Sequence, residues 1–131
     1  MTEARKVGDV MTPNPVSISE AASLAEAVSL LESRKISGLP VVDSTGVLVG
    51  VLSQTDLVRA QANPRFNKNW KGLAVREIMT TPALTIPASA GLDEAARIMG
   101  ERSVHRLVVT DEAATPIGII SASDLVRSWL G

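Results

Sequence analysis

Cysteine is absent from these 131 residues, which removes disulfides, thiolate metal sites and cysteine nucleophiles together. Aromatic residues make up only 2% of the chain and tyrosine is missing; what remains is Phe66, Trp70 and Trp129. None of the three lies in a strand-like stretch. The core must therefore be built from Val, Ile, Leu, Ala and Met, and a flat ligand would be gripped by aliphatic side chains and backbone rather than stacked between rings. His105 is the only histidine, with no acidic partner spaced as in a zincin or a catalytic triad, so an enzyme is not expected. Neither G-x-x-x-x-G-K-[ST] nor G-x-G-x-x-G occurs, which excludes the glycine-rich phosphate loops. No apolar run approaches the ~20 residues that span a bilayer, and the opening MTEARKVGDV has no apolar signal region; the expectation is a cytoplasmic protein without a membrane partner. A net charge of −1 argues against a broad basic face for nucleic acid.

What the chain does have is a copy of itself. Residues 7–60 and 75–128 align without a gap at an offset of 68, with about 18 of 54 positions identical. Among these are Met11 over Met79, Asp43 over Asp111, Gly50 over Gly118, and Asp56-Leu57-Val58-Arg59 over Asp124-Leu125-Val126-Arg127. A repeat changes what counts as a unit, so it takes precedence over any local reading. Each copy alone is too short to bury a sizeable core, whereas the pair suits one pseudo-symmetric body. The expected organisation is a first repeat over 7–60, a linker over 61–74 and a second repeat over 75–130.

Both copies parse alike. Val16–Ile18 and Leu84–Ile86 are short extended pieces. Leu24, Ala27, Val28 and Leu31, with Leu92, Ala95, Ala96 and Met99 at the matching places, mark one apolar face of an amphipathic helix. Ser23 is a natural N-cap, with Glu26 completing a capping box; Gly91 replaces it in the second copy, where Ser89 is the substitute. Two β-branched runs follow in each copy, Leu39–Val42 with Val47–Leu52 and Leu107–Thr110 with Ile117–Ile120, separated by turns at 43–46 and 111–116. Thr55-Asp56 and Ser123-Asp124 then open a closing helix with the hydroxyl as cap. The predicted order is strand, helix, strand, strand, helix, an α/β (α+β) class. QANPRFNKNWKGLA, residues 61–74, has no periodicity and is the linker.

Two places could carry chemistry. In GVLSQTD (50–56) and GIISASD (118–124) a strand delivers a hydroxyl, Ser53 or Ser121, and then an aspartate at a helix N-terminus. Helix-start N–H groups favour an anion, and the carboxylate can accept two vicinal hydroxyls such as a ribose diol. The same Ser/Thr-Asp pattern also makes a plain helix cap, and recurrence at Asp56 and Asp124 leaves a duplicated cap open. The second place is KISGLPVVD (35–43) over SVHRLVVTD (103–111), where Ser37-Gly38 in one copy faces His105-Arg106 in the other. That His-Arg pair could clamp a phosphate, though a lone histidine is more often structural. Arg34 and Arg102 suit helix C-termini. Arg59 and Arg127 read as surface charges or as symmetry contacts between the halves.

Met-Thr-Pro, the amphipathic helix, ISGLPVVD and the twice-occurring glycine-started S-x-[TS]-D turn resemble a tandem pair of cystathionine β-synthase (CBS) domains, a Bateman module. The resemblance covers roughly residues 7–130. It implies two pseudo-symmetric repeats packed sheet to sheet, with two clefts that commonly hold AMP, ADP, ATP or S-adenosylmethionine and no covalent cofactor. By that resemblance Asp56 and Asp124 hold ribose hydroxyls, with Ser53 and Ser121 near phosphate and Thr55 and Ser123 beside them. Val16 with Ile36, and Leu84 with Val104, line adenine. Ser37-Gly38 and His105-Arg106 fall at polar or cationic contacts, the latter resembling the phosphate-binding pair of the nucleotide-sensing subunit of AMP-activated kinase. Thr12 and Thr80 are weaker candidates for the same clefts. One departure is Leu107-Val108 in place of Leu39-Pro40, which leaves that strand entrance less rigid.

The function implied is a stand-alone regulatory module that senses an adenosine nucleotide, forms a homodimer and signals to a separate, unidentified protein target. The alternative is a ligand-free interaction scaffold in which Ser and Asp are caps alone. A nucleic-acid binder rests only on Arg65, Lys68 and Lys71 around Phe66 and Trp70.

Overall fold

Ser23, expected as a cap, does hold the first long helix. Its Oγ accepts from the Glu26 amide at 3.1 Å, and the helix, α2, runs over Leu24–Arg34. The structure, a computed structural model, describes residues 5–130. Around α2 the chain order is α1 (Val7–Val10), β1 (Thr12–Pro13), β2 (Ile18–Ser19), α2, β3 (Gly38–Val42), β4 (Leu48–Ser53), α3 (Gln54–Ala62), β5 (Thr85–Pro87), α4 (Leu92–Arg102), β6 (Arg106–Thr110), β7 (Pro116–Ser121) and α5 (Ala122–Leu130). The strand, helix, strand, strand, helix order thus occurs in both copies.

Three local expectations change. α4 begins after Gly91, which has no side chain to cap with, and Ser89 does not take over. Glu26 makes no reciprocal bond to Ser23. The closing helices start earlier than read: Ser53 and Ser121, not Thr55 and Ser123, take the cap position, because each strand hands directly into its helix. Both long helices end on a non-glycine residue in the left-handed region, Lys35 at φ 53° and Ser103 at φ 54°.

The chain folds into two compact units that cut across the sequence repeat. One is residues 16–83; the other joins residues 5–15 with residues 84–130. In each, a leading segment is borrowed from the other repeat.

In the first unit β2 runs parallel to β3 and β3 antiparallel to β4. Residues 73–80 close this unit: Leu24 donates to Leu73 at 2.8 Å, Val75 to Ala22 at 2.8 Å, and Thr80 exchanges bonds with Val51 at 2.8 and 3.0 Å. Val75 is fully buried among Leu24, Leu39, Val41 and Leu52. Within the expected linker, Trp70–Gly72 forms a 3-10 turn, and Trp70 packs half-buried against this core.

The second unit repeats the plan with strands ordered β1-β7-β6-β5. Val7 donates to Ala90 at 2.8 Å and is buried among Ile86, Leu107, Val109 and Ile120. Thr12 pairs with Ile119, the counterpart of Thr80 with Val51.

A side chain has little room where the Met-Thr segment crosses the sheet. A Cβ at Gly50 would stand 2.8 Å from the Thr80 carbonyl oxygen, and one at Gly118 would collide with the Met11 sulfur. The β3–β4 turn is tied by Asp43, whose Oδ1 accepts the Thr45 hydroxyl at 2.6 Å and the amides of Thr45 and Val47 at 2.8 and 3.1 Å. The Thr45 hydroxyl, then its amide, hold this carboxyl below its ordinary value of 3.8. Asp111 ties the matching turn by accepting the amides of Ala113 and Thr115.

Candidate functional site

β4 ends at Ser53 and α3 begins at once, which places Asp56 in the first helical turn. Its Oδ2 accepts the Ser53 amide at 2.8 Å, while the Ser53 hydroxyl accepts the Asp56 amide at 3.3 Å. This reciprocal capping satisfies two amides that the helix itself cannot. The other oxygen, Oδ1, accepts the Thr80 hydroxyl at 2.8 Å. Asp56 is only 5% exposed, so a carboxylate is held nearly out of solvent by neutral donors.

The second unit builds the same corner and wires it differently. Asp124, 7% exposed, accepts the Ser121 amide at 2.8 Å, and its amide donates to the Ser121 hydroxyl at 3.1 Å. Its Oδ1, however, takes the guanidinium of Arg127. Thr12 makes no bond of the kind Thr80 makes, and Arg59, the counterpart of Arg127, makes no ion pair among the described residues. With the same residue types at matching places, Asp56 is therefore served by a hydroxyl and Asp124 by a cation. The sequence reading of Arg59 and Arg127 as surface charges or contacts between halves missed this; the i, i+3 spacing to each aspartate was the available signal.

Each aspartate borders a hollow in its own unit. That beside Asp56 measures about 240 Å³ and is lined by Arg59, Asn63, Phe66, Glu77 and Thr80 among others. The one beside Asp124 measures about 180 Å³ and is lined by Arg5, Val10, Arg127 and Ser128. Glu77, Asn63 and Arg5 were not among the sequence candidates, since nothing in the repeat pattern marks them.

Of the other sequence candidates only Thr80 lines either hollow. Gly38 pairs with Ser53 across β3–β4, and the backbone carbonyl of Ser37 accepts the Gln54 amide at 3.0 Å. Arg106 pairs with Ser121, and the backbone carbonyl of His105 accepts the Ala122 amide at 2.7 Å. His105 and Arg106 are exposed, whereas Ser37 and Gly38 are half-buried. Thr55 and Ser123 lie exposed in the first helical turns. Val16 and Ile36 pack half-buried on the first unit's core, and Leu84 and Val104 on the second's. Among the described residues no cluster of three or more metal-ligating side chains occurs, and no helix is long and apolar enough to cross a membrane.

The repeated domain has counterparts in known proteins. The family model for the CBS domain matches twice, over residues 7–63 and 75–131. The chain belongs to the CBS domain family. As a CBS pair it is 33% identical over 150 residues to the chloroplastic CBS domain-containing protein CBSX2 of Arabidopsis thaliana, covering 95% of this chain and 63% of that protein. It is 31% identical over 126 residues to an inosine-5'-monophosphate dehydrogenase of Nitrosopumilus maritimus, covering 96% of this chain but 25% of that enzyme. The CBS pair thus spans less than two thirds of either relative. Among solved structures it matches CBSX2 in complex with AMP, at a TM-score of 0.85 and 35% identity over 96% of both chains. It also matches the CBS domain pair of protein MJ0100 in complex with 5'-methylthioadenosine and S-adenosyl-L-methionine, at a TM-score of 0.85 and 28% identity over 98% of both chains.

Proposed function

We propose that this CBS pair is a regulatory module that senses an adenosine-containing ligand, AMP, ADP, ATP or S-adenosylmethionine, through the two aspartate corners of its repeats 7–60 and 75–130, which 61–74 links. The observation that carries this is the near-complete burial of a carboxylate at a helix start, beside a hollow, in both copies. A buried carboxylate that already accepts hydroxyl or amide donors is suited to a ribose diol, whose two O–H groups replace such donors one for one. The AMP, 5'-methylthioadenosine and S-adenosylmethionine bound by the similar CBS pairs share that diol.

In this reading Asp56 and Asp124 take the ribose hydroxyls. Ser53, Thr55, Ser121 and Ser123 line the phosphate path with the helix-start amides. Ser37-Gly38 supplies backbone and hydroxyl contacts where His105-Arg106 supplies a cation. Val16 with Ile36, and Leu84 with Val104, give aliphatic walls for adenine, with Thr80 and Thr12 at the edge. Hollows of about 240 and 180 Å³ fall below the ~300 Å³ at which small-molecule pockets begin, which fits a ribose-phosphate portion better than a whole nucleoside. Ligand binding regulates a separate protein only so far as it favours one arrangement of the pair over another.

Calorimetry with AMP and adenosine tests the reading. Asp124→Asn and Asp56→Asn should each remove or weaken one binding event, with melting curves showing the fold retained. Binding of both ligands unchanged in both variants would overturn it. The scaffold reading draws on a specific observation: both oxygens of Asp56 and Asp124 already have partners within the chain. Homodimerisation belongs to either reading and is supported by the exposed apolar Val126, Trp129 and Leu130 of α5 and Val58 of α3. Sedimentation showing only monomer at tens of micromolar would count against it.

A further inference from the structure

We propose that Arg127 and Thr80 set the order in which the two corners fill: a ribose diol enters at Asp56 first, because at Asp124 it must displace a guanidinium. The inference rests on the ribose-diol reading above and deepens it.

At Asp56 the Oδ1 partner is a neutral hydroxyl, Thr80 Oγ1 at 2.8 Å. A diol there exchanges one neutral donor for another, and the exposed Thr80 recovers its bond from water. At Asp124 the Oδ1 partner is the Arg127 cation. Both bonds are charge-assisted by the carboxylate, and the Arg127 pair adds an attraction between opposite charges that a neutral diol does not replace. Replacing it with a diol also leaves an almost buried carboxylate with neutral donors only. Solvent tempers the difference, since the Arg127 side chain is 71% exposed while that of Asp124 is 8% exposed, and exposed ion pairs contribute little. The gap between the corners is therefore about two- to fivefold in affinity. Arg59 and Thr12 occupy the same positions in the repeat without these bonds. The asymmetry thus comes from how the side chains are engaged and not from which residues are present.

The test is a titration with adenosine, which carries the diol but no phosphate, followed by the amide resonances of Asp56 and Asp124 so that each corner reports separately. In the wild type the Asp56 signal should saturate at the lower adenosine concentration. Arg127→Gln should tighten the Asp124 corner two- to fivefold and leave Asp56 unchanged; Arg127→Lys, which keeps the charge, should behave as wild type. Raising ionic strength from about 0.05 to about 0.5 M screens the pair, so the gap should narrow in the wild type and not in Arg127→Gln. A purely structural Arg127 would not produce that salt dependence. If both amides respond but Arg127→Gln leaves the Asp124 curve unmoved or weaker, the inference falls and the ribose reading stands. If neither amide responds, both fall.

Discussion

The Thr80 hydroxyl donates to Asp56 Oδ1 at 2.8 Å across 24 residues of chain, fastening the first turn of α3 to the segment that crosses β4. Thr80→Val should leave that oxygen short of a donor in a nearly buried position, at a cost of about 1–2 kcal/mol, a drop of several degrees in melting temperature for a chain of this size. Thr12→Val, where no equivalent bond exists, should change the melting temperature far less. Thermal denaturation of the two variants side by side checks the contrast.

Gly50 and Gly118 are identical in the repeat yet should not tolerate alanine equally. At Gly50 a methyl group meets the Thr80 backbone carbonyl at 2.8 Å; at Gly118 it meets chiefly the Met11 thioether, which can rotate away. Gly50→Ala should cost about 1–3 kcal/mol and Gly118→Ala clearly less. Urea midpoints would show it, and equal losses would mean that the Met-Thr crossing shifts as readily in one unit as in the other.

Lys35 and Ser103 hold left-handed conformations where helices usually place glycine. Replacing either by glycine should relieve about 1 kcal/mol of backbone strain, partly offset by the greater freedom of glycine in the unfolded chain. The expected outcome is a small rise in melting temperature in each single variant and a near-additive rise in the double, since the two sites lie in different units.

Asp43 gives the fold a pH dependence of known sign. Its carboxyl is held below 3.8 in the folded protein, so its bonds to Thr45 and Val47 stabilise the turn above that pH and fade as pH falls through the folded value. Asp43→Ala should lower the urea midpoint at pH 7, and the gap to wild type should close as pH falls through the folded value. A gap that persists in acid would mean that the residue acts through packing.

The helix faces and the order of elements were legible because each rests on local periodicity, and the repeat because the two copies align in register. Asp56 and Asp124 were legible because they recur in register. What could not be read was the partner of each. Thr80 reaches Asp56 only because residues 73–80 fold onto the first repeat, a tertiary fact with no local signal. Arg127 sits one turn from Asp124, yet Arg59 has the same spacing to Asp56 and does not pair. The caps moved from Thr55 and Ser123 to Ser53 and Ser121 for a nearer reason: strand and helix are directly joined, which leaves no loop to spend two residues in.

The borrowed leading segments carry a consequence for how the molecule is made. A chain emerging from the ribosome presents Val7 long before Ile86, Leu107 and Ile120, the residues it is buried with. The first unit can close once residues 73–83 have been synthesised, because everything it needs lies between 16 and 83. Residues 5–15 must wait, exposing Val7, until β7 exists to receive Thr12. Residues 5–15, although translated before the whole of the first unit, are thus seated after it, so a binder of short apolar nascent peptides has its window of action there.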